Sequence, residues 1–191
     1  MAIKTMAKNA SGGSMYEAGW HQLTISKATD GIWVAKNGDE KRTIDLEFDG
    51  YPDYMGIRIF ESFNKQTGEE FKIANLFRYA CAGIIGVLND PTGKNPVIQY
   101  DDEVKNLVGK QINTFFYKET NKTTGKEYSK ISDSIAPVAQ ETEHITWNED
   151  QVTIIKEGAE KFISKQNSNK ETTSPNVADT VDTTTADSIP F

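Results

Sequence analysis

Three stretches in the first third of the chain place an apolar side chain at every second position, a period that only a half-buried strand satisfies. In "YEAGWHQLTISKA", Leu23 and Ile25 alternate with Gln22, Thr24 and Ser26. In "KRTIDLEFDG", Ile44, Leu46 and Phe48 alternate with Thr43, Asp45 and Glu47, and in "YMGIRIFESF", Ile57 and Ile59 point away from Arg58 and Phe60. The stretch after Ala28 is expected to be a loop, punctuated by Asn37-Gly38. The period then changes: after the acidic turn "NKQTGEE", Ile73, Phe77, Ala80, Cys81, Ile84 and Leu88 recur at helical spacing. One amphipathic helix is expected, ending between Gly86 and Asn89 ahead of the turn residues Asp90-Pro91-Thr92-Gly93. Two more strands, "LVGKQINTFFYKET" and "KEYSKISDSIAPV", follow, joined by "NKTTG". "NKQTGEEF" and "NKTTGKEY" are near repeats, expected to be two turns built with the same chemistry.

The order β-β-β-α-β-β is that of a five-stranded OB-fold barrel, whose middle strands and loops bind single strands and sugars. Residues 16–136 form this expected domain, behind a flexible segment 1–15 containing Gly12-Gly13-Ser14. Residues 137–165 hold a linker and an appended C-terminal helix, with Asn148 as its cap and Val152, Ile155, Ala159, Phe162 and Ile163 on one face. Residues 166–191 are rich in Asn, Ser, Thr and Asp without periodicity, which predicts a disordered acidic tail.

Composition narrows the classes of function. The net charge is −7, of which the tail contributes −3 through Lys170 against Glu171, Asp179, Asp182 and Asp187. The body is acidic too, so any basic surface must be local. A lone cysteine, Cys81, excludes an internal disulfide framework and suits a reducing cytoplasm. No apolar run of about 18 residues is present, and "MAIKTMAKNASGGSM" lacks the apolar centre of a secretory signal, so neither a membrane partner nor export is expected. Catalysis finds no pattern to stand on. His21 and His144 are far apart and outside any metal motif, and Cys81 falls on the apolar stripe of the expected helix. The Gly-Lys pairs lack P-loop spacing, and Asp101-Asp102-Glu103 reads as a solvated turn or a helix start. No enzyme, metal or cofactor is expected.

Binding of a nucleic-acid strand is better supported. Strand period puts Lys126, Tyr128 and Lys130 on one face with Ile131 opposite, an aromatic ring between two ammonium groups. Single-strand binders need that pairing, because every base offers a π-face and every nucleotide a phosphate. Arg58 and Phe60 repeat it on the third strand, "FFYK" sets Phe115 and Tyr117 on one face with Lys118 beside them, and Arg42 precedes the second strand. One of Phe115 and Phe116 must fill the core. Taken singly, such a pair is more often cross-strand packing or a snorkelling stem than a nucleotide contact; three in one small β domain weigh more than one.

These segments, "YEAGWHQLTISKA", "KRTIDLEF", "GIRIFESFNKQTGEEFKIANLFRYACAGI", "LVGKQINTFFYKE" and "GKEYSKI", resemble phage-encoded single-stranded DNA-binding proteins with an OB fold. The final "DSIPF" is similar to the acidic, Phe-terminated tip of bacterial single-stranded DNA-binding proteins, although Ser188 stands where a run of aspartates is expected. The resemblance implies a sequence-independent protein that coats and protects single strands during phage replication and recombination in the host bacterial cytoplasm. It also implies recruitment of replication or recombination proteins through Asp187, Ile189, Pro190 and Phe191. A homo-oligomer is compatible with this reading. The rival expectations are a recombination protein that anneals strands, a nuclease, and an adaptor that binds protein through its tail without binding DNA.

Overall fold

The computed structural model describes residues 16–89 and 96–171. Its longest strand, β1 (Gly19–Val34), has two partners in succession. From Gly19 to Thr24 it pairs antiparallel with β6 (Gln111–Thr120); from Ile25 to Val34 it pairs antiparallel with β2 (Glu40–Phe48). The register shifts between Ile25 and Lys27, leaving Ser26 as a bulge. Flanking this centre are β3 (Ile57–Phe60) beside β2 and β7 (Glu127–Ala136) beside β6, giving a five-stranded antiparallel sheet in the order β3-β2-β1-β6-β7. Its two edges, β3 and β7, share no backbone ladder among the described residues, so the expected barrel is not closed by hydrogen bonds.

Alternation placed the inward residues correctly where one face is covered: Ile25, Ile44, Leu46, Ile59 and Phe116 are at most 1% exposed. The loop expected after Ala28 is instead the second half of β1, forming a hairpin with β2. Ile32, Trp33 and Val34 lie beyond the core, all exposed, so no inside-outside period marks that stretch as a strand.

Helix α1 (Lys72–Tyr79) packs Ile73, Leu76 and Phe77 into the core. It starts on one carboxylate: Glu70 Oε1 accepts the N–H groups of Ser62, Lys72 and Ile73 at 2.9–3.0 Å, and Oε2 accepts that of Ala74 at 2.9 Å. The helix is shorter than its sequence spacing suggests. Cys81 (φ 48°) and Gly83 (φ 63°) turn left-handed, and Ile84 and Leu88 belong to β4 (Ile84–Asn89), paired with β5 (Pro96–Tyr100). A Cβ on Gly83 would collide with the Asp101 carbonyl oxygen, so the hairpin base requires glycine there. The turn expected at Asp90 to Gly93 lies outside the described residues.

The near repeats do form matching turns. Asn64 Oδ1 accepts the N–H groups of Gln66 and Thr67, and Asn121 Oδ1 accepts those of Thr123 and Thr124. In each turn a glycine, Gly68 (φ 72°) or Gly125 (φ 68°), donates to the asparagine carbonyl. Beyond β7, the expected linker contains a short hairpin, β8 (Gln140–Glu141) and β9 (Thr146–Trp147). Helix α2 (Glu149–Glu171) then opens on the expected cap, with Asn148 Oδ1 accepting from Gln151 N–H (2.9 Å) and Gln151 Oε1 accepting from Asn148 N–H (3.1 Å). The chain forms two units, divided at Ala159, and in the second unit the helix continues to Glu171, past Gln166 where the tail was expected to begin. No helix among the described residues is long and apolar enough to cross a membrane.

The two hairpin glycines predict opposite outcomes. Gly83→Ala should cost roughly 2 kcal/mol or more, from left-handed strain plus backbone collision, while Gly86→Ala, with nothing within 4 Å of the added methyl, should change stability by less than ~1 kcal/mol. Urea or thermal unfolding of the two variants checks this.

Candidate nucleic-acid interface

The outer face of the sheet is set by residues already fixed inward. With Ile57 and Ile59 in the core, Arg58 and Phe60 must project outward from β3. Register places Arg58 opposite Asp45 and Phe60 opposite Thr43, and Thr43 in turn lies opposite Gly31 of β1. Arg58 makes a two-point pair with Asp45, Nε to Oδ1 at 2.6 Å and Nη2 to Oδ2 at 2.8 Å. Phe60 meets Trp33 edge to face, ring centroids 5.6 Å apart, and Trp33 faces Lys41 across the hairpin.

Across the open seam, Phe116 and Ile131 point inward, so Tyr117 and Lys130 point out. They are opposite one another in register, as are Glu119 and Tyr128. Glu119 Oε2 accepts both from Lys130 Nζ (2.6 Å) and from the Tyr128 hydroxyl (2.9 Å), while the Lys130 ammonium stands 5.6 Å from the Tyr128 ring centroid. The two sides meet in a cleft of about 250 Å³ lined by Tyr54, Arg58, Tyr117, Lys130 and Asp133. Trp33, Phe60, Tyr117 and Tyr128 thus share the outer surface with Lys41, Arg58 and Lys130.

The electrostatics of this surface are largely self-contained. The Glu119 carboxylate raises the Lys130 pKa, and Asp45 does the same for Arg58, each first through its hydrogen bond. Burial pushes the Tyr117 phenol above its ordinary value, partly offset by the nearby Lys130 charge.

The remaining sequence candidates lie elsewhere. Arg42 is on the opposite face of β2 from Thr43, and its guanidinium is shared between Asp30 (2.8 Å) and the Asp102 carboxylate, which hold its pKa above the ordinary arginine value against the cost of burial. Lys118 faces away from Tyr117 and is exposed at the strand end. Lys126 belongs to the Asn121 turn, its carbonyl accepting from Asn121 N–H at 2.9 Å, and is exposed there. Phe115 takes the outer side of β6 as the partner of Trp20, centroids 5.5 Å apart. The docking tip Asp187, Ile189, Pro190 and Phe191 lies outside the described residues. Sequence reasoning missed Trp33, hidden in the expected loop, and Tyr54, 76% exposed in the short helical turn Asp53–Met55. The Asn-Gly turn between two β-rich runs was the available signal for Trp33.

Groups with other chemistry are occupied. His21 Nε2 lies 2.8 Å from the Glu17 carbonyl oxygen and its ring packs 4.3 Å from that of Phe116. Asp101 accepts from Glu103 N–H (3.1 Å), and hydrogen bonding, chiefly from Asn106, holds its carboxyl below the usual range. Among the described residues no three His, Cys, Asp or Glu side chains gather as a metal site.

No protein-family model matches the chain, and neither does any curated protein.

Cys81 is 9% exposed, and burial pushes its thiol pKa up, eased by hydrogen bonding to Thr142 and Trp147. Alkylation by iodoacetamide at neutral pH is therefore expected to be at least ~10-fold slower than in the denatured chain. Mass spectrometry of timed samples, with and without urea, measures the ratio.

Proposed function

We propose that the chain is a non-enzymatic, sequence-independent single-stranded DNA-binding protein built on a partly open barrel of the OB type. The order β3-β2-β1-β6-β7, with α1 between the third and fourth strands of the sheet, supports that fold assignment. The observation that carries the function is the outer surface on which four aromatic rings alternate with Lys41, Arg58 and Lys130 across the seam. Bases stack on Trp33, Phe60, Tyr117 and Tyr128, each stack contributing ~1–3 kcal/mol. Phosphates are taken by the cations between them. Two hairpin turns flank the surface and supply further exposed lysines, Lys36 at the β1–β2 end and Lys122 and Lys126 at the β6–β7 end. These are the loop positions by which OB barrels grip a strand.

The ion pairs on this surface exchange rather than obstruct. Arg58 and Asp45 are about half exposed, and exposed pairs contribute only ~0–1 kcal/mol to folding. A phosphate offers Arg58 the same two-point geometry as the Asp45 carboxylate, so it replaces the carboxylate at little cost. In phage replication or recombination, coating of transient single strands follows from this mechanism. Recruitment of partner proteins through Asp187, Ile189, Pro190 and Phe191 rests on the sequence of the tip and its likeness to bacterial tips.

Titration with oligothymidylate, duplex DNA and single-stranded RNA, followed by tryptophan fluorescence, tests the reading. Oligothymidylate should quench fluorescence and bind more tightly than duplex, with a log-log salt slope of ~0.7 per phosphate neutralised. Equal affinity for duplex rejects stacking. Phe60→Ala with Tyr128→Ala should weaken binding by roughly 10-fold or more while the melting temperature stays within a few degrees.

The carboxylates predict the opposite sign. Asp45→Asn and Glu119→Gln keep shape but remove a charge that competes with phosphate, so each should tighten oligothymidylate binding by about two- to fivefold at low salt. Fluorescence anisotropy of the three proteins side by side measures it.

A further inference from the structure

A cleft of about 700 Å³ lies between α1 and the β4–β5 hairpin, lined by none of the residues that line the seam. It is within the ~300–1,000 Å³ range of ligand sites. Phe71, Ala74, Asn75 and Arg78 line one wall at helical spacing, on the side of α1 turned away from the core, and Val97, Ile98 and Tyr100 line the other. Ala74 is small, which keeps the space between the walls open.

Arg78 sets the chemistry. The chain has three arginines; Arg42 and Arg58 are each paired with carboxylates, whereas Arg78 has no carboxylate partner among the described residues. Its Nε is buried without an acceptor. A buried donor left unpaired costs free energy unless something supplies the missing acceptor. The acids at the rim are otherwise engaged, Glu70 by four backbone amides and Glu69 by the Thr67 hydroxyl at 3.1 Å. The guanidinium is also held in place: its carbon lies 5.4 Å from the ring centroids of both Tyr79 and Trp147, and the Trp147 indole N–H donates to the Arg78 carbonyl at 3.2 Å.

The rest of the cleft suits a flat base. Tyr100 is fixed by stacking on Phe77 with centroids 5.2 Å apart, and Phe71 is left 45% exposed at the mouth. The Asn75 side-chain amide has no hydrogen-bond partner among the described residues, so a donor and an acceptor remain for a base edge. The chain also leads directly from Phe60 to this cleft, whose lining begins at Asn64. Immediately beyond Phe60 the chain runs to Phe63, 56% exposed, which bridges to Glu70, and Phe71 N–H donates to the Ser62 carbonyl at 2.9 Å.

We propose that this cleft is a second subsite for the same nucleic-acid strand, taking one nucleotide beyond Phe60. Its phosphate sits on Arg78, its base lies against Phe71 and Tyr100, and Asn75 meets the base edge. The inference rests on the single-strand-binding reading above and extends the length of strand engaged.

The experiment compares oligothymidylates of about 6 and about 16 nucleotides, bracketing the length one such barrel covers. Binding of each to the full chain and to Arg78→Gln, Arg78→Lys and Phe71→Ala is measured by anisotropy, with melting temperature recorded for every protein. Arg78→Gln and Phe71→Ala should each lose about five- to twentyfold for the longer strand, with little change for the shorter. Arg78→Lys, which keeps the cation but loses the fork, should lose less than Arg78→Gln. Equal loss at both lengths with unchanged melting temperature also supports the subsite, reached even by the short strand. Unchanged affinity of both Arg78→Gln and Phe71→Ala for the longer strand overturns it, as does a loss that scales with a lowered melting temperature in all three variants. Arg78-dependent binding of a free acidic peptide, with the longer strand unaffected, assigns the cleft to a protein ligand instead and likewise overturns it. A wild-type chain that binds neither oligonucleotide rejects the single-strand-binding reading itself.

Discussion

The exchange of partners by β1 at Ile25 is the constraint on which the sheet depends. Sixteen residues of extended strand would span roughly 50 Å if straight. A flat sheet built on such a strand would hold its outer strands far apart. Instead, Ile25 donates its N–H to the Lys110 carbonyl and accepts from Gly109 N–H, at 2.9 and 2.8 Å, while the bulge at Ser26 turns the strand toward β2. A bulge bends its strand and sharpens the local twist. With Ile25 fully buried at the bend, the sheet coils around Ile25 rather than around solvent. That coiling sets β3 and β7 on either side of one seam, and Arg58 can line a cleft with Tyr117 and Lys130 although the two segments are distant in sequence.

Sequence period was a reliable guide wherever one side of an element touches the core and the other touches water. It identified β2, β3, β6, β7 and the inner face of α1 through residues such as Ile44, Ile59, Phe77 and Ile131. It was silent for Thr29 to Val34, because a hairpin end beyond the core has two wet faces and no reason to alternate. It misled at Ile84 and Leu88, whose helical spacing from Phe77 and Cys81 is shared by chance with a strand that follows a left-handed turn. The same limit applies to the interface. Alternation alone put Arg58, Phe60, Tyr117, Tyr128 and Lys130 outward. Which carboxylate meets which cation depends on cross-strand register, so Asp45 opposite Arg58 and Glu119 opposite Tyr128 could not be read from either strand by itself. Lys118 and Arg42 were grouped with the others by proximity in sequence, and one step along a strand places each on the other face.

One carboxylate links the end of β3 to the helix that lines the cleft. Glu70 accepts N–H groups from Ser62, just after β3, and from the first turn of α1, so the end of the strand and the start of the helix are held by a single side chain. Negative charge at a helix N-terminus is favourable, and four backbone amides converge on this one.

An acidic chain that binds a polyanion needs a source of affinity other than net charge. At −7 the long-range field opposes approach of DNA, and on the outer face each of Arg58 and Lys130 already has a carboxylate within 2.6 Å. Exchanging carboxylate for phosphate conserves the number of ion pairs, so little net Coulomb energy is gained from it. In the proposed function, what a strand adds is ring surface: Trp33 is 39% exposed, and stacking removes such surface from water without requiring a free charge. In that proposed function, affinity is therefore assigned to the aromatic rings, and the paired cations to fixing where the backbone lies. Unstacked bases are the only form of nucleic acid that can use such an arrangement, because the faces of bases in a duplex are already covered by their neighbours.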